Sequence, residues 1–421
     1  MKISRLGLVI ATSAVSFTPA LAADLPVKAS AASYVKQCLS EGPGFYYVPG
    51  SDTCIKFGGY AWAEGYFNTY NQYPVGYNKT FSVATYGMQL DARTATEYGT
   101  LRSYMDVRFR WTSSEPFSDG PNQAQLEPWN IYVQFAGFTF GHAQSFFDFF
   151  ANATVLGTYP ATIGDDTRTN LIGYTWEMQN GFAAQFSVEE ASVRNSGVFP
   201  SNPALPDVSE DYQAGVSTPD FVANFGQQDK WGRWQLSGAL HQVRAATTPD
   251  FLGGTTDSWG YALQAGVMFN LPFLGEGDNL YIQTAYADGA ISYLGLINPS
   301  GAFAPPDGYL NTGGGVSKTS GWNITGSLLH NWNSKWNSAV FGGYARFDLN
   351  DPTAELVYGA TSGTNYNVGA NLTWVPVEPL AISLQYVFNV WEASNYVNTG
   401  FGLPVASQQA HQFMLMAART F

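Results

Sequence analysis

Arginine recurs at alternate positions in the segment 101–111. Arg102, Arg108 and Arg110 share one face of an extended chain with Tyr104 and Asp106, while Leu101, Ser103, Met105, Val107, Phe109 and Trp111 take the other. In the segment before it, Tyr86, Met88, Leu90 and Ala92 form one face and Gln89, Asp91 and Arg93 the other. Arginine stays protonated in proteins, so Arg93, Arg102, Arg108 and Arg110 offer fixed positive charge rather than proton transfer. A second charged set, Asp148, Asp165 and Asp166, lies in the connection 148–167, around a small and apolar middle from Ala151 to Ala161. Lys56 and Glu64 are weaker candidates on the polar face of an earlier segment. The plainer reading is arginines paired with Asp91 and Asp106, and aspartates in water.

Catalytic chemistry finds little support. His142, His241, His330 and His411 sit in no recognisable motif, and neither a Gly-x-Ser-x-Gly elbow nor HExxH is present. A hydrolase would need a nucleophile, a base and an orienting group on one face. The two cysteines, Cys38 and Cys54, make a poor metal site. They suit a disulfide that closes a loop of about 15 residues and contributes about 3 kcal/mol. No cofactor is expected.

These charges need elements that hold them on one side of a wall. Period-two alternation recurs along the chain: Trp259, Tyr261, Leu263, Ala265, Val267 and Phe269; Tyr366, Val368, Ala370, Leu372 and Trp374; Leu380, Ile382, Leu384, Tyr386, Phe388 and Val390. Such strands run to about 10 residues, the length that crosses a bilayer at a tilt. Aromatic residues at the ends of the apolar faces suit interfacial girdles. Beyond the N-terminus no stretch reaches about 18 apolar residues, so a helical membrane protein is excluded and a closed barrel is the remaining way across. Arginine at mid-bilayer on a lipid face would cost about 2–4 kcal/mol, which turns the arginine face toward the lumen.

About sixteen antiparallel strands fit between 54 and 421, the fourth near 127–136. Tight turns such as Glu97-Tyr98-Gly99, Ala136-Gly137 and Asn180-Gly181 alternate with long connections at 71–80, 113–126, 148–167, 191–216, 246–256, 291–317, 350–362 and 394–409. Short periplasmic turns and long external loops are expected of a transmembrane barrel.

Composition agrees. Charged residues are 12% of the chain, half the usual share, while aromatics reach 16% and glycines number 44. Residues 1–22 read as a signal peptide: Lys2 and Arg5, an apolar run from Leu6 to about Phe17, then Ala20-Leu21-Ala22. The segment 23–53 is expected in the periplasm, with the barrel over 54–421. Without Lys2 and Arg5 the chain keeps 17 of its 19 basic side chains against 32 acidic ones, a formal net charge of −15. That acidity argues against nucleic acid.

The stretch Tyr34-Val35-Lys36-Gln37-Cys38, continuing through Gly44-Phe45-Tyr46-Tyr47-Val48-Pro49-Gly50-Ser51-Asp52-Thr53-Cys54 to Gly58-Gly59-Tyr60, resembles the start of the general porins of alphaproteobacteria. Thr96-Glu97-Tyr98-Gly99-Thr100-Leu101 and the terminal Arg419-Thr420-Phe421 resemble theirs as well. The resemblance implies a sixteen-stranded, homotrimeric outer-membrane barrel for passive diffusion of small hydrophilic solutes and ions, with the third long loop folded inward. Asp148, Asp165 and Asp166 would then face the arginine wall and set a transverse field across the constriction. The alternative is a substrate-selective channel with an aromatic-lined track in which Tyr60, Trp62, Tyr104 and Tyr132 face inward. The first strand's outward face, Ile55, Phe57, Gly59, Ala61, Ala63, Gly65 and Phe67, is small at its middle and is expected at a subunit contact. Outer-membrane lipid and lipopolysaccharide would surround the assembly. The acidic group Asp207, Glu210 and Asp211 reads as a solvated external loop, with divalent-cation bridging to lipopolysaccharide as the alternative.

Overall fold

The computed structural model describes residues 36–70, 78–113, 123–150, 154–159, 162–164, 166–201, 211–248, 253–296, 305–351, 358–398 and 406–421. The expected signal peptide, Asp165, Asp207 and Glu210 lie outside the described residues.

Sixteen long strands form one sheet. They are β1 (Thr53–Tyr70), β2 (Thr80–Thr96), β3 (Gly99–Thr112), β4 (Gln123–Phe135), β5 (Phe138–Gln144), β6 (Arg168–Glu177), β7 (Phe182–Glu189) and β8 (Asp220–Asp229), then β9 (Gly232–Ala246), β10 (Thr255–Asn270), β11 (Asn279–Asp288), β12 (Ser320–Asn333), β13 (Trp336–Asp348), β14 (Ser362–Val377), β15 (Leu380–Ser394) and β16 (Ser407–Thr420). Each pairs antiparallel with the next. β16 pairs back onto β1, from Tyr60 opposite Thr420 to Tyr70 opposite Ala410, and the sheet closes. Closure joins the first and last long strands, the arrangement that lets strands satisfy their backbone groups in hydrocarbon.

Alternation sets which side each residue faces. Phe57, Leu126, Ile172, Leu263 and Leu384 stand 57–71% exposed on the outside. An apolar surface this extensive is untenable in water and ordinary against lipid. Between these residues Gln264, Gln283, Asn367, Asn371 and Gln385 are buried on the inside. The short connections turn as their residues predict: Ala136 and Gly137 both take positive φ, as do Asn180 and Gly181.

The structure departs from the sequence reading in β4 and in two of the connections. β4 begins four residues earlier than expected, because Leu126 continues the outer face opposite Phe109 while Gln125 lies opposite Arg110. A register shift falls there too, with Asn130 opposite Asp106 and Pro128 opposite Val107, so that Trp129 forms a bulge. In addition, the connections 191–216 and 291–317 are not simple loops. Val198–Pro200 pairs parallel to Gly308–Leu310, which pairs antiparallel with Val316–Lys318. Three-residue strands carry too little pattern to read, yet they bury Val198, Tyr309 and Leu310.

Cys38 and Cys54 form a disulfide, buried with Phe45. It ties the N-terminal segment to β1, where Tyr46–Tyr47 pairs with Ile55 and Cys54.

Candidate functional site

The connection from β5 to β6 folds into the barrel and is held there by polar side chains of the inner wall. Phe147 O accepts from Gln264 Nε2 at 2.6 Å and from Ser237 Oγ at 2.9 Å. The Phe150 amide donates to Gln283 Oε1 at 2.8 Å. Asn371 Nδ2 donates to Thr154 O, and Gln385 both accepts from the Leu156 amide and donates to its carbonyl, each at 2.8 Å. At its far reach the loop touches β1, the Thr158 amide donating to Glu64 Oε1 at 3.0 Å and to Tyr66 Oη at 2.9 Å. Returning, the Ile163 amide donates to Asn367 Oδ1 at 3.0 Å. Apolar packing assists: Val155 lies against Phe341 and Val387. The third long loop is therefore inward, carried by wall amides on β9–β11 and β14–β15.

Opposite the loop's seat on β9–β15 stand β2, β3 and β4 with the arginines. Arg93 and Arg102 share one carboxylate: Asp91 Oδ2 lies 2.8 Å from Arg93 Nη2 and 3.0 Å from Arg102 Nη2. Two guanidiniums thus meet on one carboxylate. Arg93 also meets Glu41 at 3.5 Å, and its guanidinium lies 4.6 Å from the Phe45 ring centroid. Arg110 pairs with Glu127 at 3.4 Å and donates to Gln125. Arg108 is held differently. Its Nε donates to Tyr60 Oη at 2.6 Å, and Tyr60 Oη donates to Asp106 Oδ1 at 2.8 Å.

The aromatic residues expected to face inward line this wall. Tyr60 and Trp62 stack at 4.6 Å, and Tyr104 and Tyr132 meet at 5.3 Å with the Arg102 guanidinium near both. Trp129 joins them through its bulge, which simple alternation does not reveal. The Arg108 and Arg168 carbons each lie 3.5 Å from its ring centroid. Both guanidiniums thus lie against the indole at cation–π distance.

One acid of the inward loop, Asp148, stands elsewhere than the sequence expectation has it. Asp148 does not face the arginine wall: its side chain is fully buried, ion-paired with equally buried Arg194 at 3.2 Å and accepting from the Thr167 amide at 2.8 Å. A buried carboxylate demands a partner, and Arg194 from the following connection supplies it. Asp166 pairs with Arg168 next to Trp129. Asp165 lies outside the described residues. Asp211 accepts from the Val198 and Gln213 amides at 2.8 and 2.9 Å, which is turn-fixing. Lys56 sits near the Phe45 ring, and Glu64 is buried as a loop anchor.

The profile of the Porin subfamily matches residues 24–414. The chain belongs to this family. Porin Omp2b of Brucella suis is 28% identical over 249 residues, 55% of this chain and 64% of that protein. The Brucella abortus (strain 2308) counterpart is 27% identical over 247 residues, again 55% and 64%. The match thus spans just under two thirds of the length of these curated relatives. Among solved structures, the outer membrane channel DcaP of Acinetobacter baumannii superposes with a TM-score of 0.66 at 15% identity, over 89% of this porin and 99% of that chain. Salmonella typhi OmpF in complex with daunomycin gives 0.53 at 10% identity, over 88% and 98%. At such identities these neighbours establish the fold alone. Family and closed barrel together make this porin an integral protein of the outer membrane.

Proposed function

We propose that this porin is a water-filled channel for passive diffusion of small hydrophilic solutes and ions. The observation that carries the reading is the inward loop: it is fastened to the inner wall of β9–β15 and β1, which narrows the lumen and leaves the polar wall of β2–β4 as its charged border. Arg93, Arg102, Arg108 and Arg110 supply the fixed charge of the constriction, with Asp166 at its margin. Asp148 takes no direct part in it. Reconstituted into a planar bilayer, the purified protein gives discrete, long-lived conductance steps. A purified, heat-modifiable barrel that never conducts would overturn the proposal.

We assign no catalytic step. Each histidine has a structural partner: His142 with Asn170, His241 with Asp220, His330 with Asp278 and His411 with Tyr386. Residues 1–22 serve as the cleaved signal, 23–53 as a periplasmic segment and 54–421 as the barrel.

The working unit in this proposal is a homotrimer joined through β16, β1, β2, β3 and β4. Their outer faces form a depression of about 720 Å³ floored by Ala61, Ala63, Ala84, Ala124 and Ala417 and edged by Phe109 and Trp111. A lipid face gains nothing from small residues, whereas a subunit contact lets backbones approach. Ala61→Trp with Ala63→Trp fills this depression and converts the trimer band on an unheated gel to monomer. A retained trimer places the contact elsewhere. The rest of the outer face meets lipid, and lipopolysaccharide in the outer leaflet.

A further inference from the structure

The arginines of the wall are not equivalent. Arg93 meets Asp91 and Glu41, Arg102 meets Asp91 and Gln134, Arg110 faces Glu127 and Arg168 faces Asp166. Arg108 differs: among the described residues no carboxylate pairs with it, and neither of its Nη nitrogens donates a hydrogen bond. The acid nearest in the network, Asp106, is already engaged by Tyr60 and by Gln89 Nε2 at 3.0 Å.

Arg108 is also fixed in place. Its Nε is tied to Tyr60, its plane rests on Trp129, and Trp129 is backed by Arg168. Tyr60 is itself confined, lying over Gly87 so closely that a Cβ there would meet its ring at 2.2 Å. Only glycine opposite allows the tyrosine to lie flat and hold Arg108. Among the described residues nothing takes the outer edge of the guanidinium, two parallel N–H donors whose spacing matches the two oxygens of a carboxylate. Because side chain and stack are ordered before any solute arrives, little entropy is lost when those donors are used. Tyr60 is buried between Gly87 and Trp62, so half-buried Trp62, its ring centroid 5.2 Å from the Arg108 carbon, is the side of the stack that provides an apolar flank for a planar solute body.

We propose that Arg108 is a docking station for planar carboxylates in transit, the fork taking the carboxylate and the Tyr60–Trp62 stack the ring. The proposal rests on the channel reading above and adds a solute class to it. It runs against the net charge of the chain, because recognition depends on the fixed fork of Arg108 and not on the total.

The test uses the whole porin in a planar bilayer carrying KCl current, with benzoate as probe and benzamide as its neutral counterpart. Benzoate lowers the wild-type current saturably and benzamide does not. Arg108→Gln raises the half-effective benzoate concentration about tenfold or more, the scale of a lost charge-assisted pair. Arg108→Lys keeps the charge but not the fork and restores only a small part of the effect. Each variant is referred to its own KCl current. Equal effects of benzoate and benzamide on the wild type overturn the docking station without any variant, and a benzoate response unchanged in Arg108→Gln or fully kept in Arg108→Lys does the same. Absence of KCl current in the wild type sinks the channel reading itself, and the station with it.

Discussion

Arg194→Leu lowers the unfolding free energy of the barrel by about 3–5 kcal/mol, the cost of leaving a buried charge without its partner. Asp148 and Arg194 have side chains 0% and 1% exposed, and the Arg194 guanidinium also packs 4.1 Å from the Tyr293 ring centroid. The pair joins the inward loop to the connection after β7, so its loss loosens both. Asp148→Leu has a comparable cost. The double variant Asp148→Leu with Arg194→Leu loses less than the sum, because removing both charges ends the desolvation penalty. Guanidinium titration in detergent, followed by tryptophan fluorescence, measures all three. Single variants as stable as the wild type would show that the pair is not buried in solution.

Gln385→Leu has its largest effect on the inward loop. One amide side chain satisfies both the Leu156 N–H and C=O, reaching across 229 residues of sequence. Leucine leaves both backbone groups facing an apolar surface, at about 1–3 kcal/mol for each that finds no water. The Leu156 amide is then expected to exchange hydrogen roughly tenfold to a hundredfold faster, with noisier open-channel current. β15 itself stays protected, since its ladders to β14 and β16 do not use the side chain. An unaltered exchange rate at Leu156 would mean that the loop is held by its other contacts alone.

The barrel was legible because two demands coincide in its strands. Lipid requires apolar residues outside and the lumen tolerates polar ones inside, so the alternation at 259–269, 366–374 and 380–390 carries both strand and orientation. The arginine face was legible for the same reason, since charge toward hydrocarbon is too costly. Two features were not. Trp129 lies on a bulge, and one extra residue inverts the parity on which the reading relies. Asp148 sits in a connection without periodicity, and its partner Arg194 is 46 residues away on another connection. Nothing local distinguishes an aspartate that faces water from one enclosed with an arginine. The wall amides that seat the loop were visible as the polar phase of β14 and β15, but a polar face inside a barrel does not say what it will hold.

The seam between β1 and β16 carries a kinetic consequence. Tyr60 finds its partner in Thr420 and Tyr70 in Ala410, so the strand made first is paired by the strand made last. Until β16 is in place, the stretch Tyr60–Tyr70 of β1 is paired on its β2 side alone, and every earlier hairpin belongs to an unfinished ribbon with an oily side. Contacts this distant along the chain are slow to form. A truncation that removes β16 therefore deprives the whole circle of a joint rather than shortening it by one stave.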